Sequence, residues 1–136
     1  MVSPTALLVA GLLAAAAPSA DPTGAVWPHD DIYVSAGTAH AYVDVQCPSG
    51  QRHWTLTVRL TAYRPGRATA TGSATTSTVT CDGATKWHQH PIDVRPDGTP
   101  FFATHDERNV GTAELRDPSG TLVATLTRRM HFYSWD

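Results

Sequence analysis

The chain has 136 residues and a formal charge of −2, with its acidic and basic side chains scattered singly along it. That length holds one modest core and not two. So small and dispersed a charge leaves no electrostatic footprint for DNA, RNA or an anionic membrane, and nucleic acid is excluded as an expected partner.

The N-terminus reads as a targeting segment. Ala6 to Ala17 is an unbroken apolar run, followed by Pro18-Ser19-Ala20, which suits cleavage after Ala20. About a dozen apolar residues fall short of the roughly 20 that span a hydrocarbon core, so no membrane anchor is expected to remain after cleavage. Met1 to Thr5 carries no Lys or Arg, a departure from the usual basic start of such leaders. The expected organisation is a signal peptide at 1–20, a lead-in segment at 21–30 and a single secreted, extracellular domain at 31–136.

Beyond the Pro- and Gly-containing lead-in, no helical periodicity of useful length occurs and strand patterns dominate. From Ala39 to Cys47 the odd positions are small or apolar and the even ones polar or amphipathic, the period of a half-buried strand with its odd face inward. After the turn Cys47-Pro48-Ser49-Gly50, Trp54, Leu56, Val58, Leu60 and Ala62 alternate with polar neighbours in the clearest strand of the chain. Arg64-Pro65-Gly66 breaks it. Ala74 to Cys81 is β-branched but polar, as an edge strand would be, and Asp82-Gly83 makes the next turn. A strand is expected from about Lys86 to Val94, with weaker signals at Phe101 to Thr104 and Gly111 to Arg116. After Asp117-Pro118-Ser119-Gly120, a final strand from Thr121 to Tyr133 places Leu122, Ala124, Leu126, Met130 and Phe132 on one face, with Arg128 the exception. About seven short strands with frequent turns predict an antiparallel β-sandwich of immunoglobulin-like type.

Two cysteines, at positions 47 and 81, have no CxxC spacing for zinc or redox chemistry. In an oxidising compartment they are expected to pair. Cys47 ends one strand, the next runs away from that end, and the third returns to finish at Cys81, which brings both sulfurs to one end of the sandwich.

Val45-Gln46-Cys47-Pro48-Ser49-Gly50, then Val79-Thr80-Cys81-Asp82-Gly83, Trp87, Val94-Arg95-Pro96-Asp97-Gly98-Thr99-Pro100-Phe101 and Gly111-Thr112-Ala113-Glu114-Leu115 recur in that order in a known group. Over about residues 31 to 133 the chain resembles small secreted actinobacterial domains with an immunoglobulin-like fold and no established activity. The resemblance implies fold and compartment and leaves function open. Two departures accompany it. His88-Gln89-His90-Pro91 interrupts a stretch that alternates smoothly in the group, and the spacing of the cysteines implies a bridge other than that of antibody domains.

Seven histidines are many for this length. His88 and His90 share one face of any regular strand and could chelate Cu or Zn, with His53, His105, Asp93 or Asp106 as further ligands; the alternative is a pair of solvated surface histidines. Trp87 has opposite parity to Ile92 and Val94, so a bulge is expected at Pro91, which would make Trp87 core and turn both histidines outward. Without it, the histidines join Ile92 and Val94 inside and each needs a partner.

No Ser lies in a Gly-x-Ser-x-Gly elbow. His29-Asp30-Asp31 and His105-Asp106-Glu107 could be drawn as acid/base groups, but as solvated strand-end residues they do not predict catalysis. Trp27, Phe132, Tyr133 and Trp135 either tie the termini to the body or form a carbohydrate or protein contact. Arg64-Pro65-Gly66-Arg67 is the one candidate for an inhibitor's reactive loop. The expected function is therefore non-enzymatic binding or recognition of an extracellular protein or cell-surface ligand, with no cofactor. The alternatives are a Cu/Zn-binding protein using His88 and His90, or a secreted protease inhibitor.

Overall fold

The structure, a computed structural model, describes residues 24–135. The expected signal peptide at 1–20 lies outside the described residues. Within them there is no helix, so none long and apolar enough to cross a membrane. The strands are β1 (Ala25–Pro28), β2 (Asp31–Ser35), β3 (Thr38–Cys47), β4 (Thr55–Ala62), β5 (Ala70–Thr76), β6 (Gly83–Val94), β7 (Val110–Arg116), β8 (Leu122–Arg129) and β9 (His131–Ser134). The expected count was about seven; the described residues hold nine in two sheets.

In the first sheet β3 is central. One of its edges takes β1 and β2 in succession, with Trp27 opposite Asp44 and Tyr33 opposite His40, while its other edge takes β6. Strand β9 adds parallel to β2, with Tyr133 opposite Tyr33. The second sheet runs β5-β4-β7-β8, antiparallel throughout.

Alternation explains how the sheets join. Ala39, Ala41, Val43, Val45 and Cys47 on β3 and Leu56, Val58, Leu60 and Ala62 on β4 are buried in one cluster with Trp54, as their period-two pattern requires. Val94, Phe101, Leu115, Met130 and Phe132 complete that core from the remaining chain. Phe101 and Phe132 stack with centroids 5.9 Å apart, a favourable geometry for buried aromatic rings.

Several elements depart from the sequence reading. The lead-in contains β1, a true strand paired with β3 from Ala25 to Pro28. The edge strand expected at Ala74–Cys81 instead spans Ala70–Thr76, and residues 77–82 are a non-strand connection. Ala70 and Gly72 face the core there, so the polar Thr and Ser run that suggested the strand covers only its tail. Phe101–Thr104 forms only the isolated bridge of Thr104 to Phe132. The long final strand divides at buried Met130 and changes sheets, β8 pairing with β7 and β9 with β2.

The predicted disulfide is present, with Cys47 and Cys81 Cα atoms 4.8 Å apart. It ties the end of β3 to the connection between β5 and β6 rather than to a strand end.

Candidate binding surface

The predicted bulge at Pro91 is absent. From His88 to Val94, β6 pairs in unbroken register with β3, and its register shift lies beyond, opposite the stretch between Val45 and Cys47. His90, Ile92 and Val94 are consequently buried, while Trp87 is exposed. The premise that the large indole would occupy the core was wrong, because its polar edge is satisfied at the surface. With the Gln46 amide oriented to satisfy both its atoms, Gln46 Oε1 accepts from Trp87 Nε1 at 2.9 Å and Gln46 Nε2 donates to the Ala84 carbonyl at 3.1 Å.

His88 and His90 share a face as predicted, with ring centroids 5.3 Å apart, but only His88 is exposed. The Thr80 backbone N–H donates to His90 Nε2 at 2.9 Å. An imidazole that accepts at Nε2 carries its proton on Nδ1, so neither nitrogen of His90 has a free lone pair for a metal. Burial, then the nearby His88, holds the His90 pKa below its ordinary value, against the pull of the His88 and Val43 carbonyls and the Asp44 charge. Among the described residues no cluster of three or more His, Cys, Asp or Glu side chains is placed to hold a metal ion.

The other sequence candidates separate in space. Asp106 is clamped by Arg108, with Nε to Oδ1 and Nη2 to Oδ2 both at 2.9 Å. Hydrogen bonds from Arg108 hold its carboxyl pKa at about 2, far from a poise suited to general acid/base chemistry at neutral pH. Arg64, in the candidate inhibitor loop, stacks its guanidinium 4.0 Å above the Phe102 ring instead of projecting as a reactive residue. Phe132 belongs to the core.

Trp27, Tyr133 and Trp135 have a different fate. They stand with Trp87 on the outer face of the first sheet, and four of the five large hydrophobic side chains left exposed among the described residues are these. The alternation of β1, β3 and β9 dictates this, since their inward positions Val26, Val43, Val45 and Phe132 fill the core. Around Trp135 the rings are mutually packed, with Tyr33 at 5.7 Å and His40 at 5.3 Å, and Tyr133 lies 5.9 Å from Tyr33. The Trp135 N–H donates to the Val34 carbonyl, so this end of the chain is tied down and still displays its ring.

At the other end of the same face, Trp27, Asp44 and Trp87 line a cleft of about 300 Å³. Trp27 and Trp87 are 48% and 49% exposed, open enough to be touched from solvent. Asp44 Oδ2 lies 3.1 Å from His29 Nε2. Arg128, the outlier of the final strand pattern, reaches across from β8 and lays its guanidinium 4.4 Å from the Trp27 ring centre while donating to the Pro28 carbonyl at 2.6 Å. Sequence reasoning named Trp27 but missed its pairing with Trp87, because the supposed bulge sent Trp87 inward. The odd parity shared by Trp87, Gln89, Pro91 and Asp93 was the available signal.

No family model matches the chain, and no curated protein matches it. Among solved structures it is similar to Spo0M, a sporulation control protein from Bacillus subtilis, at 18% identity with a TM-score of 0.38. The match covers 81% of this chain and 49% of that one, so the chain spans about half that protein's length.

Proposed function

We propose that the chain is a secreted, non-enzymatic binding domain with an immunoglobulin-like arrangement, and that the outer face of its first sheet is the recognition surface. The observation that carries this reading is the gathering of Trp27, Trp87, Tyr133 and Trp135, all exposed, on one face of one sheet. Aromatic side chains supply large contact area with little rotamer freedom to lose, and exposed clusters of them mark interaction sites. Here their orientations are already set by Gln46, Arg128 and the Tyr33–His40 packing, which lowers the entropy lost on binding.

The compartment rests on the apolar leader and on the Cys47–Cys81 disulfide, a bond favoured outside reducing cytosol. The order β5-β4-β7-β8, facing a sheet in which β3 pairs with β6, supports the immunoglobulin-like arrangement. The partner is an extracellular protein or a cell-surface ligand.

Two measurements test this. Expression of the full chain in an exporting host, followed by N-terminal sequencing of the protein in the medium, is expected to start at Asp21. Retention in the cells with the leader intact would refute export. Wild type and a Tyr133→Ser/Trp135→Ser variant are then compared for sedimentation with cell-envelope material and capture on immobilised secreted proteins and glycans. Retention that the variant loses is the expected result. Absence of retention on every surface, or equal retention of the variant, would refute the assignment of the face.

A further inference from the structure

We infer that the Trp27–Asp44–Trp87 cleft is a site for a methylated ammonium cation, a head group of the choline or betaine kind. The inference rests on the reading of this sheet face as a recognition surface and names the ligand class of one end of it.

Three observations converge. The first is the lining itself, a carboxylate between two exposed indoles. Indole faces carry the negative end of the aromatic quadrupole and are the best of the natural side chains at attracting a cation, and a carboxylate adds its full charge. Trp27 already demonstrates this affinity, since the Arg128 guanidinium rests 4.4 Å from its centre. Arg128 does not line the cleft, and Trp27 stays half exposed beyond that contact.

The second observation is the charge of the face. The five strands of the first sheet carry Asp31, Asp44 and Asp93 against Lys86, and Arg128, which reaches Trp27 from β8, is offset by Asp30, whose Oδ2 lies 3.8 Å from its Nη2. With histidine counted neutral the sheet is acidic, complementary to a cation and repulsive to anions.

The third is that several of the hydrogen-bonding groups at the cleft are already engaged. Trp87 Nε1 is taken by Gln46, both ends of the Gln46 amide are occupied, and Asp44 Oδ2 faces His29. A saccharide that brought several hydroxyls into this cleft would leave many of them unmatched, an unfavourable exchange for water. A tetraalkylammonium group has no donor or acceptor and needs none. The volume, about 300 Å³, lies at the small end of ligand sites and suits a compact head group.

The test is a titration of the purified protein with choline chloride, read by tryptophan fluorescence, at ionic strength held constant with sodium chloride. Saturable binding in the millimolar range is expected, with 3,3-dimethylbutan-1-ol, the uncharged isostere of choline, at least about tenfold weaker. Asp44→Asn should weaken choline at least about fivefold, and Trp87→Ala about tenfold. Trp87 stands at the surface and Asp44→Asn keeps the shape of a half-buried side chain, so the variants should stay folded, and their thermal midpoints are measured alongside. A parallel sedimentation with phosphatidylcholine vesicles, against phosphatidylglycerol vesicles, distinguishes the source. Cosedimentation with the former alone assigns a lipid-borne head group, and binding of free choline without cosedimentation assigns a free solute. No saturable binding of choline in either form, equal binding of the neutral isostere, or unchanged affinity in both variants would overturn the inference. Envelope retention that survives such a failure would leave the wider reading of the face standing.

Discussion

The backbone N–H of Thr80 donates to Nε2 of His90, 2.9 Å away, one residue before the cysteine that closes the disulfide. The buried ring thereby holds the connection between β5 and β6 against the first sheet, and it does so only while Nε2 is unprotonated.

Stability should therefore fall in mild acid. The unfolded ring titrates near 6.5 and the folded ring lower, chiefly because burial disfavours the charged form. Below 6.5 the unfolded chain takes up a proton that the folded one resists, so the contribution is present in full above 6.5 and is lost as the pH drops through the folded value. Thermal midpoints between pH 8 and 5 should decline for wild type, and a His90→Leu variant should show a flatter profile from a lower starting point. An NMR titration placing His90 at or above 6.5 would contradict this account.

The adjacent bridge should matter more. Opening Cys47–Cys81 restores freedom to a loop of 34 residues in the unfolded state, worth about 3 to 4 kcal/mol in the chain-entropy view. Urea denaturation of the oxidised protein and of a Cys47→Ala/Cys81→Ala variant should differ by that amount. A thiol assay without reductant should find no free cysteine, and detection of two would contradict the bridge.

How far the sequence carried this picture depends on which side of each strand was decided locally. β3 and β4 were legible residue by residue, because each has one wholly apolar face and one polar face, and only one orientation buries the first. β6 was not. Its inward positions include His90, which is acceptable inside only because an N–H from a segment ten residues earlier is aimed at it, and its outward positions include Trp87, held by an amide on another strand. Both partners are tertiary, so parity alone suggested a bulge. β1 escaped notice because four residues ending in Pro show too little alternation to register. The cleft inherited both errors, since one of its indoles lies on β1 and the other on β6.

Asn109, silent in the sequence, is expected to be among the most sensitive polar positions. It is 1% exposed, its Oδ1 accepts from the Tyr63 N–H at 2.8 Å, and its Nδ2 donates to the Thr104 carbonyl at 3.1 Å. Together these tie the end of β4 to the loop that leads into β7. Asn109→Ala leaves the Tyr63 N–H without its acceptor and should lower stability by about 2 to 3 kcal/mol. A change below half a kcal/mol in chemical denaturation, roughly the scale of a neutral surface substitution, would argue against that role.

A close approach of β5 to the end of β6 supplies the last prediction. At Gly72 on β5, an added methyl would collide with the carbonyl oxygen of Arg95 and would press within 3.1 Å of both Phe101 Cε2 and Val94 Cγ1. The first of these is backbone and cannot rotate away. Gly72→Ala must therefore push β5 off the end of β6, and a loss of about 2 to 3 kcal/mol is expected from overpacking of this kind. Gly98 is the control. A Cβ there meets nothing within 4 Å, so Gly98→Ala should stay within about 0.5 kcal/mol of wild type. Equal stability of the two variants in urea would mean that β5 can shift without loss, and that the contact at Gly72 does not set the spacing between the sheets.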